Sequence, residues 1–200
     1  MLFPRSGFTY IMMNKPEGTV CSTVSDRSTT VFQLLGRDVP SRLSIAGRLD
    51  KDTSGFLILS DDGMFIHTLT IPESHIPKTY HVQLCEPVSP QQQYEYTVRC
   101  KEGLPLPVCE KSPAFITAPA ELEWLDVLPP ELGCSSCASE CLLTISEGKF
   151  HQVKRMIEVL GNKVKALRRV AIGGLVLDEK IGPGQYRSLS ETEIKRIFNT

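Results

Sequence analysis

Gly47-Arg48-Leu49-Asp50-Lys51-Asp52-Thr53-Ser54-Gly55-Phe56-Leu57-Ile58-Leu59-Ser60 is the stretch on which the reading of this chain turns. Phe56 to Leu59 is an apolar run bounded by Gly55 and by Asp61-Asp62-Gly63, the pattern of a short buried strand. The polar residues ahead of it read as an exposed loop. A carboxylate fixed between an arginine and a rigid strand is suited to catalysis, because the strand sets its orientation. Asp50, Asp52, Asp61 and Asp62 are the candidates. The last two stand at a turn before a helix, where Asp commonly caps.

Working outward, Tyr10-Ile11-Met12-Met13 reads as a short buried strand ended by Lys15-Pro16. Thr29 to Leu35 has helical spacing, with Gly36 as its stop. Met64 to Leu69 reads as a short helix. From Thr79 to Leu84 the chain alternates: Tyr80, Val82 and Leu84 share one face, Thr79, His81 and Gln83 the other. Ser89 caps a helix to Lys101, with Pro90 at its first position. Leu104 to Pro119 is proline-rich and reads as extended loop and edge strand. Glu121 to Leu128 is a strand candidate, Pro129 to Ser139 a loop, and Leu142 to Ile145 a strand. Val153, Met156, Ile157 and Leu160 form the apolar stripe of a helix ended by Gly161. Val164 to Ile172 is another strand, and Ser190 with Glu193 makes a capping box. Several strands lie too close in sequence for helical crossovers. The expectation is an α+β fold with a mixed, largely antiparallel sheet.

The 200 residues suit one large domain or two small subdomains. The seven cysteines are an odd number, scattered along the chain, which points to reduced thiols in a cytoplasm. The start has no charged-then-apolar signal. No apolar run nears the roughly 18–20 residues that span a membrane. A soluble, intracellular protein with no membrane association is expected. The formal net charge is only −1, but Lys149, Lys154, Arg155, Lys163, Lys165, Arg168 and Arg169 crowd one region. They are either a solvated face or a phosphate-contacting patch. Cys134-x-x-Cys137-x-x-x-Cys141 looks like part of a metal site but has no obvious fourth ligand. His67, His75, His81 and His151 show no metal spacing, so no metal is expected.

Three further segments complete a pattern with Gly47–Ser60: Asn14-Lys15-Pro16-Glu17-Gly18, Lys78-Thr79-Tyr80, and Glu147-Gly148-Lys149-Phe150-His151-Gln152-Val153-Lys154-Arg155-Met156. In this order and spacing the four closely resemble the pseudouridine synthases that act on ribosomal RNA, in particular their RsuA-like branch. The resemblance runs from Tyr10 to about Ile194. It implies one catalytic domain over residues 1–200, made of two α+β halves that share a sheet and flank an active-site cleft. It also implies isomerisation of a uridine to pseudouridine in rRNA. Small-subunit (16S) rRNA is favoured, because Leu143 to Met156 resembles that branch more. The alternatives are a large-subunit (23S) rRNA enzyme, a non-catalytic RNA-binding assembly factor, or a metal-dependent nuclease built on the acidic residues. Branch members commonly carry a small RNA-binding domain first. Here the pattern starts within about ten residues of Met1, as in a variant lacking that domain or a fragment.

The reaction breaks the bond between ribose and uracil nitrogen, turns the base and rejoins it through carbon 5. It needs no redox step and no added group, so no cofactor is expected. It does need an ionised carboxylate by the sugar–base bond, as nucleophile or as base. Asp50 occupies the position of the family's catalytic aspartate. Lys154 occupies that of its basic partner, which offsets the desolvation that would neutralise a buried carboxylate. Tyr80 matches the tyrosine that stacks on the flipped base. Flipping costs a few kcal/mol of unstacking, and Arg48 is expected to support the displaced nucleotide. Arg155 is an alternative partner or a phosphate contact. Lys15 is expected to contact phosphate or, better, to shape the wall beneath the catalytic loop. Lys149, Lys163, Lys165, Arg168 and Arg169 complete the expected RNA contacts. Phe150 stands where a polar residue or tyrosine is common, and Phe56 where leucine is. The expected partner is rRNA or a ribosomal-subunit assembly intermediate, bound by a monomer.

Overall fold

The computed structural model describes residues 3–24, 27–36, 40, 42–125 and 137–199. The chain divides into two compact units, Met1–Lys78 with Arg168–Thr200, and Thr79–Leu167. The opening stretch forms β1 (Tyr10–Lys15), a 3-10 turn over Val31–Leu34, β2 (Ser44–Ala46), β3 (Thr53–Ser60) and α1 (Gly63–Thr70). Then come β4 (Lys78–Val88), α2 (Pro90–Glu102), β5 (Pro105–Leu106), β6 (Phe115–Ile116), β7 (Glu121–Trp124), β8 (Ala138–Ile145) and α3 (Gln152–Val159). The chain ends with β9 (Val164–Ile172), β10 (Leu175–Val176), β11 (Tyr186–Ser188) and α4 (Glu191–Ile197).

In the first unit β1 pairs antiparallel with both β3 and β11, in a register running from Tyr10↔Ser60 to Lys15↔Gly55. All six residues of β1 are buried. A strand covered on both faces shows no alternation, which is why its sequence reads as a continuous apolar run. Met12, Phe56 and Ile58 pack with Phe65 and Leu69 of α1 and with Ile194 and Ile197 of α4. Helix α1 starts at Asp62, whose buried carboxylate accepts from the Met64 and Phe65 amides, from the Tyr10 hydroxyl at 2.8 Å and from Arg5 at 3.1 Å. Burial, with the Asp62 carboxylate beside it, pushes the Tyr10 hydroxyl up to about 12. Asp61 accepts from the Thr9 amide at 2.7 Å and pairs with Arg42 at 3.2 Å. Both aspartates therefore have structural work at the turn, which removes the main support for a nuclease built on them.

In the second unit Tyr80, Val82 and Leu84 lie on the buried face of β4, as the alternation predicts. On the other face Thr79 meets Thr144, and His81 and Gln83 both reach Glu140 of β8, at 2.5 and 2.8 Å. β8 pairs antiparallel with β7, from Glu121↔Thr144 to Trp124↔Cys141. Ser89 and Gln92 close the capping box of α2, with Pro90 at the first turn. On α3 Val153, Met156, Ile157 and the following Leu160 are buried, and Gly161 turns the chain at φ +92°.

Among the described residues, a mostly antiparallel mixed sheet and four helices make the α+β fold expected. Several local readings need correction. Thr29–Leu35 is only a 3-10 turn, capped by Thr30 and Gln33. β2, β10 and β11 were not foreseen, because two or three residues carry no readable period. β8 begins at Ala138, inside the expected loop. Cys137 is disulfide-bonded, so the odd cysteine count misled. Cys21, Cys85, Cys100, Cys109 and Cys141 are free thiols. The rest of the expected 129–139 loop, Cys134 included, and the end of the 121–128 strand beyond Leu125 lie outside the described residues. Among the described residues no helix is long and apolar enough to cross a membrane.

Gly55 sits in β3 at φ +100°, and a Cβ there would lie 2.2 Å from the Arg169 carbonyl oxygen. No rotamer relieves a clash with backbone. Gly55→Ala should cost well over about 1 kcal/mol of folding stability, read as a lower denaturation midpoint. An unchanged midpoint would show that β3 and β9 can separate here at no cost.

Candidate active site

The loop ahead of β3 is held from below by two buried cations. Lys15, the last residue of β1, is fully buried. Its ammonium donates to the backbone carbonyls of Pro16, Asp50 and Thr53 at 3.2, 3.0 and 2.8 Å. Those three bonds use all its protons. Burial lowers the Lys15 pKa, against the raising pull of Cys21, Asp50, Asp52 and Glu17. Arg169 of β9 is 2% exposed. Its guanidinium donates from Nε to the Phe56 carbonyl and from a terminal nitrogen to the Gly47 carbonyl, both at 2.8 Å.

Further bonds fix the loop between these anchors. The Gly18 amide donates to the Lys51 carbonyl at 2.8 Å, and the Thr53 amide to that of Asp50 at 3.2 Å. The buried Leu49 gives its amide to the Cys21 sulfur at 3.4 Å. Burial pushes the Cys21 thiol up, while Lys15, Arg169 and Arg48 oppose it. The Asn14–Gly18 motif thus supports the Gly47–Thr53 loop directly. What the loop presents is Arg48, exposed, and Asp50, half-buried, with Asp52 exposed beyond. A carboxylate on so constrained a backbone can be aimed at one bond of a substrate, and its negative charge lies within reach of the Lys15 field.

This arrangement corrects the expected RNA contact at Arg169 and agrees with the preferred of the two readings of Lys15, a support beneath the loop rather than a phosphate contact. Neither offers its charge to phosphate, because both are buried and committed to backbone carbonyls. Arg168, next to Arg169, is half-buried. Lys78 opens the Lys78-Thr79-Tyr80 motif buried, donating to the Ile76 carbonyl at 2.8 Å. Burial, with Arg169 adding repulsion, lowers its pKa to about 8.

In the second unit Tyr80 is 8% exposed on β4. Lys154 stands half-buried on α3, between the buried Val153 and Arg155. Arg155 donates to the carbonyls of Phe150 and Pro107 and lies over the Phe115 ring at 5.3 Å. It therefore braces the β5–β6 hairpin, which corrects its reading as a phosphate contact or alternative partner. Lys149 pairs with Glu147 at 3.0 Å and sits 3.7 Å over the Phe115 ring. Lys163 and Lys165 are exposed. Among the described residues no group of three His, Cys, Asp or Glu side chains is placed to hold a metal.

A carboxylate-bearing loop clamped by buried cations is the kind of rigid, charged site an enzyme uses. Residues 9–159 match the family model described as RNA pseudouridylate synthase, and the chain belongs to that family. It is 43% identical over 188 residues to the ribosomal small subunit pseudouridine synthase A of Haemophilus influenzae, covering 94% of this chain and 73% of the relative. With the protein of the same name from Vibrio cholerae it shares 41% over 192 residues, covering 96% and 75%. A crystal structure of a pseudouridylate synthase superposes with a TM-score of 0.81 at 42% identity, over 95% of this chain and 74% of the other. The human RNA pseudouridylate synthase domain containing 1 shares the fold, with a TM-score of 0.56 at 16% identity, over 98% and 93% of the two chains.

The clamp generates a prediction. Lys15→Met keeps the length of the side chain but leaves three carbonyls without their donor. Loop misplacement on the 1 Å scale costs about a hundredfold in rate, so the single-turnover rate should fall by roughly that factor. RNA affinity and its salt dependence should change little, since the charge removed never faced solvent. A flattened salt slope in this variant would restore Lys15 as a phosphate contact.

Proposed function

We propose that this protein converts a uridine of small-subunit rRNA to pseudouridine, acting as a cytoplasmic monomer on rRNA or an assembly intermediate. The observation that carries this reading is the clamped Gly47–Thr53 loop with Asp50 at its exposed edge. The names of the relatives at 41–43% identity support the choice of subunit.

The target uridine leaves its stack, at a few kcal/mol, and Arg48 holds the displaced strand. Asp50 attacks the ribose carbon or removes a proton from the sugar, which frees the uracil through its nitrogen. The uracil turns and its carbon 5 bonds to the ribose carbon, either displacing the Asp50 carboxylate from it or with Asp50 returning the sugar proton; the regenerated carboxylate, directly or through water, then takes the proton from carbon 5. Tyr80 stacks on the base while it is detached. Lys154 is the cationic partner of Asp50 and keeps it ionised while water is excluded. Lys149, Lys163, Lys165 and Arg168 supply phosphate contacts.

Mapping of pseudouridine in rRNA, from cells with and without the protein, tests the reading. One small-subunit position should lose its modification. It should return with the wild-type chain and not with Asp50→Asn, which keeps the shape but not the reactive oxygen. Turnover retained by Asp50→Asn would remove Asp50 from the mechanism. A lost position in the large subunit would change the target.

Lys154→Met tests the second role. Without the cation, protonation of the carboxylate competes at higher pH. Activity at neutral pH should fall and partly recover as pH rises. A pH profile superimposable on the wild type would uncouple the two residues.

A further inference from the structure

The loop ahead of α3 carries a feature that the catalytic reading leaves unused. Phe150 and His151 lie ring on ring, with centroids 3.8 Å apart and planes 17° from parallel. Successive side chains of an extended chain point to opposite sides. Here they lie side by side because His151 adopts the left-handed conformation at φ 48°, ψ 31°. Few residues other than glycine tolerate that region. His151 occupies the N-cap position of α3, where its carbonyl accepts from the Arg155 amide at 3.0 Å. The left-handed turn therefore starts the helix and also lays the two rings together. The pair does not fill a core: Phe150 keeps 36% of its surface exposed.

Cations surround these rings. The Lys111 ammonium is 5.6 Å from the Phe150 centroid. Lys149 and Arg155 lie over the neighbouring Phe115 ring at 3.7 and 5.3 Å. Lys149 is paired with Glu147, and Glu110, next to Lys111 in sequence, is exposed. An apolar protein partner would take the Lys111 ammonium out of water, which is costly. A nucleotide offers both complements at once, a flat base to extend the pile and a phosphate for the lysines.

The geometry points to a stacking subsite for one nucleotide of single-stranded RNA, its base on the Phe150–His151 pile and its phosphate at Lys111 and Lys149. The inference rests on the RNA reading above but concerns a nucleotide other than the one that reacts. Stacking on an aromatic ring is open to every base, so the subsite fixes the strand without reading its sequence.

Fluorescence of single-stranded RNA of about 12 nucleotides, with 2-aminopurine placed at each position in turn, tests this. Wild-type protein should quench one position strongly. Phe150→Leu, which keeps an apolar side chain but no ring, should abolish that quench and raise the Kd about tenfold. Phe150→Trp should restore both. Lys111→Gln should weaken binding and make it less salt-dependent. Photocrosslinking of 5-bromouridine RNA to the unaltered protein gives a readout independent of any variant's folding, and its adduct should map to the peptide bearing Phe150. Unchanged quench and Kd in Phe150→Leu, failure of Phe150→Trp to rescue, or crosslinks confined to other peptides would each overturn the subsite. Pseudouridine formation separates the two readings. If the wild type modifies rRNA while the quench ignores Phe150, the subsite falls alone. If the quench depends on Phe150 but no pseudouridine forms, the enzymatic reading falls and the subsite stands.

Discussion

The first unit depends on a bargain between two buried cations and the backbone of one loop. A cation without water is stable only where other dipoles replace the water. Lys15 and Arg169 find those dipoles in the carbonyls of Pro16, Asp50, Thr53, Gly47 and Phe56. The dependence runs both ways. Without the cations the carbonyls would face the interior unpaired, and without the loop the cations would have no reason to be inside. The loop's conformation is thus tied to β1 and β9, elements whose own position is set by the sheet. Rigidity reaches Asp50 through the main chain.

The acids at the next turn illustrate the same division of labour. Asp62 gathers two helix amides, a tyrosine hydroxyl and an arginine, and Asp61 gathers a β1-side amide and Arg42. Each of these carboxylates is occupied by structure. Four acidic residues so close in sequence invite a reading as a cluster. Their environments separate them into two anchors, Asp61 and Asp62, and two residues of the clamped loop, the half-buried Asp50 and the exposed Asp52.

Much of this was legible in the sequence because it rests on local rules. The caps at Ser89, Ser190 and Asp62, the alternation of β4, the stripe of α3 and the full span of β9 each follow from side chains within a few residues. The order of the four motifs carried the family. The misread cations share one cause, a positive charge taken to mean solvent. Arg169 is two residues from Leu167 on the same face of β9. The period of two held the signal for Arg169, but charge outweighed it. For Lys15, which closes a strand whose every residue is buried, the resemblance favoured the supporting role, but no local signal named the carbonyls it meets. Arg155 likewise belonged with Val153, Met156 and Ile157 on the covered side of its helix. The Phe150–His151 pile was hidden for another reason: nothing in the residue types announces a left-handed turn at histidine.

The Arg169 fork has a consequence for chain length. One flat, inflexible group touches the carbonyls of both Gly47 and Phe56, which bracket the loop that carries Asp50. It works as a gauge of fixed width. Side chains within the bracket can vary as long as the main chain still meets both ends, whereas one inserted or deleted residue would leave an end out of reach. Natural variation in this protein's lineage should therefore change the letters between Gly47 and Phe56 while leaving their number alone.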